Sequence, residues 1–224
     1  MATDSEVGEL RDWLEKLFGQ VHRMRIDQQI WENVQQIIEQ NPKLHVPSHF
    51  YSWMQDMYVS GIAMSIRRQV DNDTRTMSFC RFLKRITGDP SVVSRRRYRA
   101  LYKDGDGPVE QLKSFGLLEK TVNDTYDRVV GANKPQPTAD DIQKEIDDLA
   151  NVAGRFVDFA NQVIAHDDQT KPANLPTFGE VDAVIAYMET LVQRYAQLFE
   201  AAHRSMSVNF QYDWRAIFRT PWIP

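Results

Sequence analysis

Between Ile142 and Val163 the apolar residues fall at Ile142, Ile146, Leu149, Ala153, Phe156, Ala160 and Val163, an unbroken 4-3-4-3-4-3 spacing. An α-helix gathers those positions on one stripe, whereas a strand would scatter them over both faces. Such a seam is buried by packing against other helices. Thr138 stands before it as an N-cap, with a hydroxyl suited to accept from the first turn's backbone. Beyond the seam, "TFGE" at 177–180 has the form of a capping box, Thr177 answering the Glu180 amide and Glu180 reaching back. It opens a second seam of Val181, Ile185, Met188, Val192, Tyr195 and Phe199. Only the polar link "DDQTKPANLP" lies between them, so an antiparallel hairpin is the expected geometry. The chain is therefore read as all-α.

The remaining segments agree with that class. Leu10, Leu14, Leu17, Val21 and Met24, then Ile30, Val34 and Ile37, trace one long N-terminal helix ended by Asn41-Pro42. A second helix is expected from Pro47, with Phe50, Met54, Met57, Gly61 and Met64 on its inward side. A short helix runs through Phe79, Leu83 and Ile86 to Gly88, with Pro90 behind it. A further helix from Pro108 is expected to turn Leu112, Phe115, Val122, Tyr126 and Val129 inward. No strand-like alternation of useful length occurs, and no internal repeat. The tail "NFQYDWRAIFRTPWIP" packs five bulky aromatics and two prolines into sixteen residues. That composition predicts an extended strap laid over the bundle. The expected organisation is a single domain over 1–224, with an N-terminal helix at 5–40, a bundle at 41–205 and a strap at 206–224.

Composition narrows the function classes. A chain of 224 residues, 42% apolar and 26% charged, can bury a sizeable core. Its one cysteine, Cys80, excludes an internal disulfide framework and a cysteine-rich zinc site. No apolar run is long enough to span a bilayer, and the start "MATDSEVGEL" does not resemble a signal peptide. A cytoplasmic protein with no membrane association is expected. The net charge of -4 conceals a basic stretch: Arg67 to Lys103 holds eleven Lys or Arg against Asp71, Asp73 and Asp89. Within it, Arg67, Arg68, Arg95, Arg96, Arg97 and Arg99 are the candidate nucleic-acid contacts, with Tyr98 and Tyr102 interleaved. The competing reading is a solvated helix face, or a partner for the acidic stretch "DDIQKEIDD".

For chemistry, the polar side of the Thr138 helix aligns Arg155, Asp158, Gln162 and His166. His166 falls at the expected helix end, where it serves either as a proton-transfer group or as a polar helix stop. His45 and His49 straddle Pro47 and lack a third ligand, so no metal site is expected. "DGDGP" at 104–108 reads as a turn, no phosphate-cradling glycine loop is present, and no cofactor is expected.

"ANQVIAHDD" at a helix end, followed by a loop and a Thr-capped amphipathic helix, resembles the HEPN superfamily. "MYVSG", "GIAMSIRRQVDNDTRTMSFCRFLKRI" at 61–86 and "YDWRAIFRTPW" make the abortive-infection (type U) phage-defence branch the closest likeness. The resemblance implies a four-helix bundle that dimerises. It also implies a metal-independent ribonuclease, in which a histidine manages protons and an arginine steadies charge while an RNA 2′-hydroxyl attacks its own phosphate. Asn161 and His166 match the motif, but Ala160 occupies the arginine's usual place directly before the asparagine. Asn161 itself fills the shorter spacing and Phe159 the longer one. The motif is therefore degenerate, with ribonuclease activity weakened or lost through the missing arginine. Arg155 stands eleven residues before His166, about 16 Å along a helix axis, too far to fill the place within one chain. The alternative is a substitute from Arg155 or the "SIRRQ" helix across a dimer. Two readings follow. One is an RNA-directed defence or toxin–antitoxin protein using His166, Asn161 and Arg155, with a homodimer partner and a cognate antitoxin or defence partner. The other is an inactive helical module that binds a protein or nucleotide.

Overall fold

The computed structural model describes residues 3–102, 108–165 and 176–220. Its α-helices are α1 (Asp4–Gln40), α2 (His49–Gln69), α3 (Phe79–Gly88), α4 (Arg95–Ala100), α5 (Pro108–Ser114), α6 (Leu118–Val130), α7 (Ala139–Phe159) and α8 (Phe178–Glu200). Short 3-10 turns occupy Pro42–Leu44, Pro90–Val93 and Trp214–Arg219, and a π turn occupies Ala160–Ala165. The fold is an all-α helical bundle, with no strand among the described residues.

Side-chain caps set the helix starts. Thr3 with Glu6, Thr138 with Asp141 and Thr177 with Glu180 form complete capping boxes, and Ser48 and Ser78 cap α2 and α3. Each satisfies amides that a helix leaves unpaired at its first turn. α1 packs on α8 and α2, while α7 packs on α2, α3 and α8. The α7 seam is buried from Ile142 to Ala160, and every member of the α8 seam is buried. Arg155 meets Glu180 near one end of the pair and Tyr195 meets Glu145 toward the other, so α7 and α8 run antiparallel.

Inside the core, Phe82 of α3 sets its ring edge-on to Tyr195, centroids 5.3 Å apart. Glu145 accepts from the Tyr195 hydroxyl at 2.6 Å and pairs with Arg194 Nε at 2.7 Å. Burial pushes the Glu145 carboxyl up, against the opposing pull of Arg194 and Tyr195.

Several segments differ from the sequence expectations. In α1 the inward register continues through Gln28 and Trp31, leaving Ile30 and Ile37 half-buried. Gln28 is tolerated there because Arg25 donates to its Oε1 at 2.9 Å. In α2 the buried face is Ile62, Ala63, Ile66 and Gln69, while Phe50 and Met57 face solvent. That helix carries apolar residues on two faces, and its first half meets α1 through Trp31, which stacks on Tyr51 and Tyr58. Pro47 lies outside the helix, since Ser48 takes the cap. The expected helix from Pro108 breaks at Gly116, whose φ of 66° closes α5, and Phe115 is left 74% exposed.

The tail leaves α8 through Ala201 in the left-handed region, φ 52°. Arg204 then pairs with Glu200 and Glu15 and lies over the Phe18 ring. Ser207 accepts from His22 of α1 at 3.4 Å, and Arg215 donates to Asn33. The strap therefore follows α1 in α1's own direction. Its aromatic end packs mainly on itself, through Phe210, Trp214 and Phe218, and Tyr212 is 84% exposed. Among the described residues no helix is long and apolar enough to cross a membrane.

Candidate functional site

The end of α7 does not fray into coil. Ala160, still in the right-handed helical region, leads directly into the π turn over Ala160–Ala165. A π turn adds a residue to the helical repeat, so side chains beyond it are rotated relative to the α7 seam, and such insertions concentrate at functional sites. Ala160 remains in the core at 0% exposure, whereas Asn161 is half-buried and turned toward α2.

There it meets Arg67, in the last turn of α2: Arg67 Nε donates to Asn161 Oδ1 at 2.7 Å. One of the guanidinium's five N–H donors is thereby committed to the motif asparagine. A guanidinium from another helix of the same chain therefore stands beside Asn161. Arg67 belongs to the "SIRRQ" segment, and its contact with Asn161 lies within one chain.

Arg155 is engaged elsewhere. It pairs with Glu180, the capping-box glutamate of α8, and so fastens the α7–α8 hairpin. The Glu180 carboxyl is held below its ordinary value, first by the Thr177 backbone amide. Of the expected stripe, Asp158 and Gln162 are described, while His166 lies outside the described residues. An apolar hollow of about 410 Å3 adjoins the π turn, lined by Tyr58, Ile62, Phe156, Phe159, Val163 and Phe178.

The six candidate nucleic-acid arginines do not form one surface. Arg67 is at Asn161. Arg68 borders a different hollow, with Lys16 and Arg23 of α1. Arg95 pairs with Asp127, donates to Lys134 O and lies 4.6 Å from the Tyr126 ring centroid. Arg97 pairs with Asp4, and Arg99 lies 3.5 Å from Glu119. These carboxylates come from α1 and α6, not from the acidic start of α7 that the sequence offered as a partner. Arg95, Arg96 and Arg99 share the wall of a third cavity.

Other reactive groups carry less. Cys80 is buried, and burial pushes its thiol up to about 11, so it is protonated at neutral pH. His45 donates to Ile38 O at 3.0 Å, and among the described residues no group of three or more His, Cys, Asp or Glu is placed to hold a metal ion.

A family model described as HEPN_AbiU2, AbiU2, matches residues 8–216. The chain belongs to the AbiU2 family. It is thus a member of the HEPN superfamily, in its abortive-infection type U branch. The match includes all but the first turn of α1 and the first part of the C-terminal strap, as well as the segments that hold Arg67 and Asn161. No curated protein and no solved structure matches the chain.

Sequence reading named Arg67 and Asn161 separately and did not foresee that they meet within one chain. The two residues are 94 positions apart, and their meeting depends on how α2 crosses the end of α7. The sequence signal was confined to a basic residue near the end of an amphipathic helix.

Proposed function

We propose that this AbiU2 protein cleaves RNA at the α2–α7 junction, with Arg67 replacing the arginine that the motif lacks at Ala160. The observation that carries this reading is the 2.7 Å hydrogen bond from Arg67 Nε to Asn161 Oδ1. In the reaction, His166 takes the proton from a ribose 2′-hydroxyl as its oxygen attacks the adjacent phosphorus. The O2′–P bond forms and the P–O5′ bond breaks, with a proton returned to the departing 5′-oxygen. The products are a 2′,3′-cyclic phosphate and a 5′-hydroxyl end. Arg67 steadies the negative charge that builds on the non-bridging oxygens, and Asn161 fixes its guanidinium. Within a defence system, this activity would be restrained by a cognate partner until infection.

The test is cleavage of single-stranded RNA by the purified protein in EDTA. The protein should cut, His166→Ala should abolish cutting, and Arg67→Ala should slow it by about 10²–10³-fold, as expected for loss of one preorganised charge-stabilising donor. Arg67→Lys should recover part of the rate, because a point charge replaces the planar fork. Cleavage that survives His166→Ala, or that is indifferent to Arg67→Ala, removes the assignment. A second reading has its own support in the complete burial of Ala160: the motif's arginine position has been given over to packing, and the domain binds its target without cutting. Binding of RNA without any cleavage in the same assay selects that reading.

A further inference from the structure

The last turn of α2 works on two sides. Arg67 leaves it toward α7 and donates to Asn161, while Arg68 and Gln69 leave it toward α1. Consecutive residues of an α-helix diverge by about 100° around its axis, so one turn reaches both places. On the α1 side lies a hollow of about 360 Å3, bordered by Lys16, Gln20 and Arg23 of α1 and by Ser65, Arg68 and Gln69 of α2. That volume is within the range of small-ligand sites.

The charge of its wall is one-sided. Three cations and no carboxylate border the hollow among the described residues. Arg23 is answered by Asp27 at 2.9 Å, in an exposed pair of little strength. Lys16 reaches the thioether of Met77 at 3.6 Å, a weak and uncharged acceptor. Arg68 is exposed and has no carboxylate partner among the described residues. The helix dipole favours a cation at the end of α2, which accounts for Arg68 but not for Lys16, well inside α1.

The wall also contains an unmade hydrogen bond. Gln69 is 1% exposed, and its Nε2 donates to Gln20 Oε1 at 2.6 Å. Its own Oε1 is buried with no donor in reach, although buried amide oxygens are nearly always bonded. A ligand hydroxyl can supply that donor. None of the described residues lining the hollow is aromatic, so nothing there stacks on a base. Cations for a phosphate, an acceptor for a hydroxyl and no platform for a base match the backbone of a nucleic-acid strand. The hydroxyl makes that strand RNA.

We propose that this hollow is a backbone subsite for the RNA strand that reaches Asn161. Lys16 and Arg68 hold a phosphate, and Gln69, its amide turned slightly outward, accepts from a 2′-hydroxyl. The subsite rests on the RNA-cleaving reading for its ligand and adds positioning residues outside the motif. With the bases facing away, it separates RNA from DNA without reading sequence.

Fluorescence anisotropy tests this on the full chain carrying His166→Ala, so that a short single-stranded oligoribonucleotide stays whole. Lys16→Ala and Arg68→Ala should each weaken binding about tenfold, the loss expected for one charge-assisted contact. Each should also reduce the salt slope by about one. The deoxy strand of the same sequence should bind more weakly, and Gln69→Met should remove that preference while keeping the helical circular dichroism. A 2′-O-methyl strand probes the same hydroxyl without touching the fold, and should bind like the deoxy strand. With His166 restored, Arg68→Ala should raise KM and leave kcat unchanged. RNA binding that depends on Lys16 and Arg68 in a chain that does not cut would remove the cleavage reading and keep this one. Cutting whose KM ignores both changes does the reverse. Equal affinity for the three strands overturns the proposal. Ribose 5-phosphate binding as tightly as the strand also overturns it, in favour of a free sugar phosphate.

Discussion

Ala160 has 0% exposure, and that determines what an arginine at the motif's usual place would do. The position belongs to the α7 seam, one turn after Phe156 and just before Val163. A guanidinium there either buries a charge among apolar side chains or forces the π turn outward, and each costs several kcal/mol. Ala160→Arg should therefore lower the thermal midpoint by roughly 10 °C in a chain of this size without raising RNA cleavage. Differential scanning calorimetry beside the EDTA cleavage assay checks both halves. A variant that melts like the parent and cuts faster would show that Arg67 does not stand in for the missing arginine. Arg67 can take the role because it approaches from α2, outside the seam, with its stem half-buried and its head on Asn161.

At the scale of elements, the start of α7 offers a pH-dependent test of what holds the hairpin. Asp141 accepts from the Thr138 amide at 2.9 Å and from Lys134 Nζ at 2.7 Å. Lys134 first, then the Thr138 contacts, bring its carboxyl from the ordinary 3.8 to about 2. A depressed carboxylate stabilises the fold above its ordinary value and ceases to do so as pH falls from 3.8 through about 2. The pair is more than a third exposed on the Lys134 side, so its share is under about 1 kcal/mol. Lys134→Met should shift the urea midpoint downward at pH 5 and by less at pH 2.5. A shift of equal size at both pH values would place the effect in packing rather than in charge. This helix and α8 were legible in the sequence because seam and capping box point the same way. α2 was not, because Phe50, Met54 and Met57 compete with Ile62, Ala63 and Ile66 for the inward face, and periodicity does not choose between two apolar faces. At the site, Asn161 was legible as part of a linear pattern. The pairing with Arg67 depends on a helix crossing, which no local pattern encodes.

For the whole molecule, the distribution of exposed apolar groups bears on assembly. Phe50, Trp53 and Met57 of α2 and Phe178 of α8 are all more than half exposed. Tyr58 lies between them, 6.3 Å from the Phe178 ring and bordering hollows of about 410 and 330 Å3. A monomer seldom leaves a cluster of that kind in water. A second copy supplies a matching surface, since a twofold axis sets the same patch against itself. Phe178 follows Thr177 directly and lies two residues before Glu180, the partner of Arg155, so pairing through this face would bring the α7–α8 junctions of two copies close together. We therefore expect a homodimer, with light scattering returning twice the chain mass of 26.1 kDa at micromolar concentration. Trp53→Glu and Phe178→Glu should each yield a monomer that keeps its helical circular dichroism. If RNA cleavage needs both junctions, it should fall with dimer fraction across a dilution series. A parent protein that remains at 26.1 kDa throughout that series would leave the patch to another partner and the site to act within one chain.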